Sequence, residues 1–351
     1  MIANTENFDG TALFALPGIW KDKPEEHGLE IRERPELITA VRDRGVDVHV
    51  IRGNDALDTE RALALGVARP EYDIAGSSVN TLHRLGDQML QGYGVLRTYV
   101  KMASTDNLVV TLNPTSLRAL GRDKFATART ILQPLDLYRE CVFVPADETY
   151  EAGGVRGSLV AKPNCGFASE GLIAGEQHEI AEALKEIDKD YIVEERLIFD
   201  KPMPGVRGRD EAEQRKLQDA YDHHANTELR MYSFGVGSDW YPGGRISEKG
   251  VLEKKGQEWV IVDDRTVPQE VYELADKVRE RVNMETGSQD TIQTVDFVFA
   301  GSASQPEHTW QVMEINAEPY VIRTDVDMET GLRFRNLQAD QIARIAKSGR
   351  I

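Results

Sequence analysis

Two apolar segments near the end of the sequence carry hard oxygen donors: Asp296 in TVDFVFA, and Glu314 with Asn316 in WQVMEINAEP. Residues two apart on a strand share a face, so Glu314 and Asn316 point the same way, and a short hairpin through Gly301 to Thr309 lays Asp296 beside them. Carboxylate and amide oxygens without cysteine or histidine suit magnesium, which one or two carboxylates hold while substrate phosphates complete the octahedron; manganese is the second metal such donors accept. The competing reading is a hairpin with one wet face. Against it, Val295, Phe297, Val298, Phe299, Trp310, Val312, Met313 and Ile315 leave the acids among apolar neighbours. An unpaired carboxylate is costly there, and a cation offsets that cost.

Upstream, LVAKPNCGFASEGL places Lys162 at the end of an apolar strand, followed by Gly166, Ser169 and Gly171 in a loop that returns as a strand. Glycines let backbone amides approach phosphate oxygens, and the lysine adds positive charge, which together make a flexible clamp. No Gly-Lys-Ser/Thr opens a helix, so the loop is not a Walker motif, and a plain glycine-rich hairpin tip is the alternative. In YIVEERLI, Glu194, Glu195 and Leu197 offer an acceptor for an exocyclic amine and backbone groups for a purine edge; an edge strand with charged outer positions fits equally. Cys165 reads as a small loop filler, because nothing nearby supplies a base.

These residues need large elements to position them, and the chain is long enough. Its 351 residues with 40% hydrophobic content suffice for two or three domains with their own cores. A net charge of -17 excludes non-specific nucleic-acid binding while leaving room for a local basic pocket. With Cys141 and Cys165 as the only cysteines there is no disulfide framework, and a reducing compartment, the cytoplasm, is expected. Glu6 and Asp9 stand where a secretory signal carries basic residues, and Pro17-Gly18 breaks the apolar run Ala12 to Leu16. No stretch approaches the roughly 20 apolar residues that cross a bilayer, so no membrane association is expected.

Along residues 1–112, the segments TALFALP, PELITAVRDRG, VDVHVIRG, a helical run near Asp58 to Gly66 and YDIAGSS alternate strand and helix, which reads as a Rossmann-like domain with a parallel sheet. No glycine-rich dinucleotide fingerprint follows its first strand, so it supplies substrate contacts rather than an NAD site. Thr81 to Ser104 reads as helix interrupted by Gly92 and Gly94, and NLVVTLNP as a strand. An α+β module occupies 113–198, with helices at Asp123 to Leu132 and Gln177 to Ile187. The charged stretch 199–227 reads as an insertion, a flap or a solvated helix; His223 and His224 project to different sides and are not a metal pair. A second sheet resumes over 228–335 with a helix from Gln269 to Val282 begun by Pro268, and 336–351 closes as a helix from Leu337 to Lys347.

Taken in order, Asp123-Lys124 on a helix, Lys162 with its glycine loop, Glu194-Glu195, the Glu228-Leu229-Arg230 strand and Asp296 with Glu314-x-Asn316 resemble the ATP-grasp superfamily. Within it, the layout is similar to the glutathione-synthetase and ribosomal-protein glutamate-ligase branch. The resemblance spans Asn113 to Thr324, and the Asp plus Glu-x-Asn set is its most specific element. It implies an α/β and α+β chain in which a nucleotide sits between two antiparallel sheets, with Lys124 and Lys162 near the phosphates and adenine and the Gly166 to Gly171 loop closing as a lid. It further implies that Glu194, Glu195 and Leu197 contact adenine, that Asp200 reaches the ribose, that Arg230 stabilises phosphate charge, and that Asp296, Glu314 and Asn316 hold magnesium. Two departures stand out: the insertion after Phe199 separates the hinge strand from Arg230, and Ala317-Glu318-Pro319-Tyr320 lacks the family's frequent Pro-Gly or Ser-Pro continuation.

The activity implied is ATP-dependent ligation, in which a substrate carboxylate is phosphorylated and an amine attacks the acyl phosphate to form an amide or peptide bond. The protein acts by positioning and charge neutralisation, with Arg230 and Lys162 as the catalytic charges. Arg323 and Arg245 are candidates to grip a substrate carboxylate bidentately, and both read equally as surface arginines. An amino acid or short peptide is the expected substrate, and a homo-oligomer the expected assembly. Two other readings stay open: a phosphotransferase or carboxylase using the same cleft, and a nucleotide-binding regulatory module without turnover.

Overall fold

The computed structural model of the chain describes residues 8–16, 36–37, 39–52, 97–102, 109–111, 120–121, 123–146, 148–150, 155, 157–165, 171–199, 206–207, 211–212, 214–215, 219, 226–235, 239–247, 258–287, 292–316 and 327–348. Near the N-terminus, β1 (Phe8–Leu16), β2 (Asp47–Arg52), β3 (Arg97–Met102) and β4 (Val109–Thr111) form a sheet ordered β2-β1-β3-β4. The β1–β2 pair is parallel, but β1–β3 and β3–β4 are antiparallel. The parallel sheet expected from the alternating runs is corrected to a mixed one, and these strands do not show a Rossmann-like domain. The helix expected from Thr81 to Ser104 is likewise corrected at its end, where Thr98, Tyr99 and Val100, β-branched or aromatic, lie in a strand. The helix expected near 58–66 and the strand YDIAGSS fall outside the described residues.

Helix α1 (Lys124–Thr127) runs into a π-helical turn, Ala128–Leu132, and a 3-10 turn, Gln133–Leu135. Asp123 caps it, its carboxylate accepting from the Ala126 amide at 2.8 Å, as an aspartate ahead of a helix does. A four-stranded antiparallel sheet follows, ordered β5-β8-β6-β7 from β5 (Cys141–Val144), β6 (Leu159–Pro163), β7 (Ile173–Gly175) and β8 (Tyr191–Glu195). Helix α2 (Gln177–Leu184) covers one face, packing Ile180 and Leu184 against Leu159, Ala161 and Val193.

The larger sheet is seven-stranded and antiparallel throughout: β9 (Ile198–Phe199), β10 (Val206–Arg207), β11 (Asn226–Phe234), β12 (Tyr241–Ser247), β13 (Glu258–Val262), β14 (Ile292–Gly301) and β15 (Thr309–Asn316). Its order is β10-β13-β12-β11-β14-β15, with β9 against the far end of β14. The 199–227 stretch is therefore partly built into the sheet, because Val206 and Arg207 pair with Val262 and Ile261 at its edge. His223 and His224 lie outside the described residues.

Helix α3 (Gln269–Thr286) starts after Pro268 and ends at Gly287, whose φ of 67° is the left-handed conformation glycine adopts without strain. Val271, Ala275, Val278 and Val282 recur every three or four residues and face Leu229, Met231, Val295, Phe297, Val312 and Ile315 of the sheet. Alternation sends the intervening residues, Glu228, Arg230 and Asp296 among them, to the opposite face. Helix α4 (Met328–Ser348) begins earlier than the expected Leu337 and packs against β1, β3 and β11; Arg44 Nε meets Asp340 at 2.5 Å. Its Phe334 inserts among Tyr232, Phe234 and Tyr241, with ring centroids 4.9, 5.3 and 5.9 Å away.

One irregularity decides where the acidic residues of β15 point. Phe297 pairs with Val312 and Asp296 pairs with Glu314, so Met313 is an extra residue on β15. This β-bulge turns Glu314 and Asn316 onto the face of Asp296; uninterrupted alternation from Val312 would send Glu314 under α3.

Candidate active site

On the face of the large sheet away from α3, charged side chains converge from four neighbouring strands. Glu228 and Arg230 come from β11, Arg245 from β12, Asp296 from β14, and Glu314 and Asn316 from β15. The pairing Arg230 with Asp296 and Asp296 with Glu314 sets the row, and Arg245 lies opposite Glu228. Asp296 is 1% exposed, and both its oxygens accept from Arg230, through Nε and Nη2. Asn316 Nδ2 donates to Asp296 Oδ2 at 3.3 Å. Arg245 donates to Glu228 from Nε at 2.9 Å and from Nη2, and sits 3.6 Å from Asp296 Oδ2. Burial, the largest influence, pushes the Asp296 carboxyl up to about 7 against the pull of Arg230, and the Glu228 carboxylate adds to the rise.

Glu314 differs. It is half-buried and has no hydrogen-bond or ion-pair partner among the described residues, although Lys124 lies close enough for their charges to interact. Arg230 and Arg245 pair with Asp296 and Glu228, which leaves Glu314 with Lys124 as the nearby cation. Among the described residues no set of three Asp, Glu, His or Cys side chains converges as a metal site; beside Asp296 and Glu314, the further oxygen donor that β15 brings to this face is the amide of Asn316. Two carboxylates and an amide, one carboxylate unpartnered, fit a magnesium ion that takes its remaining ligands from phosphate.

The second constellation lies on the small sheet. Lys162 Nζ donates to the Tyr138 hydroxyl at 2.8 Å and meets Glu194 Oε1 at 2.9 Å. Tyr138 donates its hydroxyl proton to Glu194 Oε2, and Arg139 Nη2 donates to Glu194 Oε1. Burial lowers the Lys162 pKa, but Glu194 and Tyr138 outweigh it and hold the ammonium above its ordinary value. Lys124, by contrast, is held below the ordinary lysine value by burial. Its ammonium donates to the Pro163 carbonyl at 3.1 Å. Asn164 joins the two lysines: its Oδ1 accepts from the Phe125 amide at 2.9 Å and its carbonyl from the Lys124 amide at 3.2 Å, so α1 is tied to the strand that carries Lys162.

A narrow cleft separates the two constellations, lined by Lys124, Thr127, Leu132 and Tyr138 on one side and by Met313 and Glu314 on the other. Its cavity volume is about 10 Å³, room for one water.

Several expected roles change in this light. Glu194 and Glu195 are neighbours on β8 and point to opposite faces, so both carboxylates cannot meet one adenine. Glu195 instead accepts from the Ser304 amide at 2.7 Å, the Ser302 hydroxyl at 2.8 Å and the Ser304 hydroxyl, fastening β8 to the tip of the β14–β15 hairpin. Leu197 is buried against Val298 and Ala300 as core. Arg245 spends its guanidinium on Glu228, which corrects its reading as an open clamp for a substrate carboxylate. Gly166, Ser169, Asp200 and Arg323 lie outside the described residues; Gly171 is described and has a φ of 72°. Tyr138, Arg139 and Asn164 were not singled out from sequence, and the one signal available was a Tyr-Arg pair immediately before an apolar strand.

No protein-family model matches the chain, and no curated protein matches it. Solved structures do. The chain is similar to the D-cycloserine synthetase DcsG at 12% identity, over 90% of this chain and 95% of that one, with a TM-score of 0.48. It is similar to a D-alanine–D-alanine ligase from Bacillus anthracis complexed with ATP at 15% identity, over 89% and 94%, with a TM-score of 0.45. It is similar to an L-amino acid ligase from Bacillus licheniformis at 12% identity, over 81% of this chain and 64% of that one, with a TM-score of 0.42.

Proposed function

We propose that this chain is an ATP-dependent carboxylate–amine ligase of the ATP-grasp superfamily, acting on an amino acid or short peptide. The observation that carries the reading is the arrangement of Asp296, Glu314 and Asn316 on one face of adjoining strands, with Lys124 across a cleft from Glu314 and Lys162 behind it. Glu314 on one wall with Asp296 and Asn316 beside it, and Lys124 on the other, are the kinds of group that a triphosphate and its counter-ion require. The finer placement, in the glutathione-synthetase and ribosomal-protein glutamate-ligase branch, rests on the order of the motifs along the chain.

In this reading Lys124 and Lys162 bind phosphate oxygens, and Glu194, held ionised by Arg139 and Lys162, faces the base. Asp296, Glu314 and Asn316 would hold magnesium, which when bound supplies charge neutralisation at the phosphates. Arg230 keeps Asp296 oriented and contributes positive charge where the phosphoryl group moves. A carboxylate oxygen of the first substrate attacks the γ-phosphorus and ADP leaves; the amine of the second attacks the acyl carbon, loses a proton, and phosphate leaves. No side chain of the chain forms a bond in either step.

The test is ADP release measured with amino-acid and dipeptide libraries, followed by mass analysis for a product lighter than the summed substrates by one water. ADP release with a phosphorylated product and no amine incorporated would favour a phosphotransferase, and ATP binding without ADP release in any pairing would favour a regulatory module.

A further inference from the structure

The nucleotide site proposed above contains a buried donor that no described residue satisfies. Arg139 follows the 3-10 turn, its side chain 9% exposed. Its Nε donates to the Glu195 carbonyl at 2.9 Å and its Nη2 to Glu194 Oε1, while Nη1 is buried with no hydrogen-bond partner among the described residues. The Tyr138 ring lies against the guanidinium, 5.0 Å from centroid to Cζ. One edge of the guanidinium is thus pinned to the hinge strand and one face to an aromatic ring, so the direction of Nη1 is fixed by the fold. A buried guanidinium N–H without an acceptor is costly and calls for one from outside.

The acceptors around it are also selective. Arg139 already occupies the Glu195 carbonyl, and Glu194 Oε1 is shared by Arg139 and Lys162. Glu194 Oε2 accepts only from Tyr138 among the described residues, and a carboxylate oxygen has a second lone pair. Glu194 Oε2 is thus an acceptor with capacity left and Arg139 Nη1 a donor with capacity left, on two side chains that already meet through Oε1 and Nη2. An exocyclic amine next to a ring nitrogen, the edge adenine presents at N1 or N7, has the complementary pattern.

We propose that Arg139 is a specificity-determining residue of the nucleotide site, donating from Nη1 to a ring nitrogen of the purine while Glu194 accepts from the neighbouring amine. This rests on the nucleotide-site reading. The test is calorimetric binding of ATP, 1-deaza-ATP and 7-deaza-ATP, with magnesium present, to the full chain and to its R139M and R139K variants, with melting curves to establish folding. The intact chain is expected to bind one of the two deaza analogues about tenfold more weakly than ATP, and R139M to bind ATP about tenfold more weakly and all three nucleotides alike. Should R139M not fold, R139K, which keeps the charge but not the planar fork, carries the same comparison. Equal binding of all three nucleotides by the intact chain, or discrimination that survives both substitutions, overturns the role of Arg139 alone. Absence of ATP binding by the intact chain overturns the nucleotide site itself.

Discussion

Asp296 and Glu314 are register partners on β14 and β15 and face the same way, yet Arg230 grips both oxygens of Asp296 while Glu314 has no hydrogen-bond or ion-pair partner among the described residues. The difference follows from position. Asp296 lies opposite Arg230 across the β11–β14 ladder, whereas Glu314 is on the outermost strand of this side of the sheet, with Lys124 as its nearest opposing charge. One carboxylate is bound into the framework, and the other is left for a ligand.

Substitutions at the two positions should therefore separate. Glu314→Gln should abolish ADP release with the melting temperature nearly unchanged, because no contact within the described residues is lost. Asp296→Asn should abolish turnover and also destabilise the fold by about 3–5 kcal/mol, since it strands Arg230 without its anionic partner. Parallel denaturant titrations and ADP assays decide this; full activity in Glu314→Gln would remove that residue from the site.

Tyr138 holds Lys162 and Glu194 at once through a single hydroxyl. Tyr138→Phe leaves the ring in place but deletes that link, so the apparent KM for ATP should rise by roughly ten- to a hundredfold, the about 1.5–3 kcal/mol of one lost hydrogen bond to a charged group, with kcat changed less. Lys162→Ala should weaken ATP binding further, and a variant with wild-type ATP affinity contradicts its assignment.

Glu195 fastens the small sheet to the hairpin tip of the large one through Ser302 and Ser304. If the sheets part to admit nucleotide, this is one of the contacts that must yield or pivot. Glu195→Ala should cost about 1–3 kcal/mol through unpaired buried donors. Hydrogen exchange should show the Ser304 amide losing protection while the centre of β14 keeps its own, and unchanged exchange at Ser304 would count against the link.

Stability should decline in alkaline solution. Burial raises Cys141 from 9.0 to about 11 and holds Tyr138 and Tyr232 above their usual 10.0. The unfolded chain releases these protons at the ordinary values while the folded chain retains them. Stability from these groups is therefore complete below about pH 9 and is lost as pH rises through the folded-state values. Urea midpoints should hold steady to about pH 8 and fall beyond it, and Cys141→Ala should blunt the first part of the fall. A flat profile to pH 11 would show that these groups titrate normally in the folded protein.

Local sequence determined much of this. Alternation in WQVMEINAEP was enough to put Glu314 and Asn316 on one face, because a strand's period is two whatever surrounds it. Pro268 marks the start of α3 for an equally local reason, whereas the helix runs on to Thr286, four residues past the expected Val282. The tertiary structure decided what no local pattern contains. A bulge at Met313 chose which face received the acids, and the crossing of β8 behind the hairpin gave Glu195 to two serines instead of a base. Packing of the segment after the 3-10 turn brought Tyr138 and Arg139 onto Glu194, 56 and 55 residues away respectively. Partners so distant in sequence are chosen by burial, since a carboxylate taken out of water must be matched by whichever donors the fold delivers, and that choice is made only when the sheets meet.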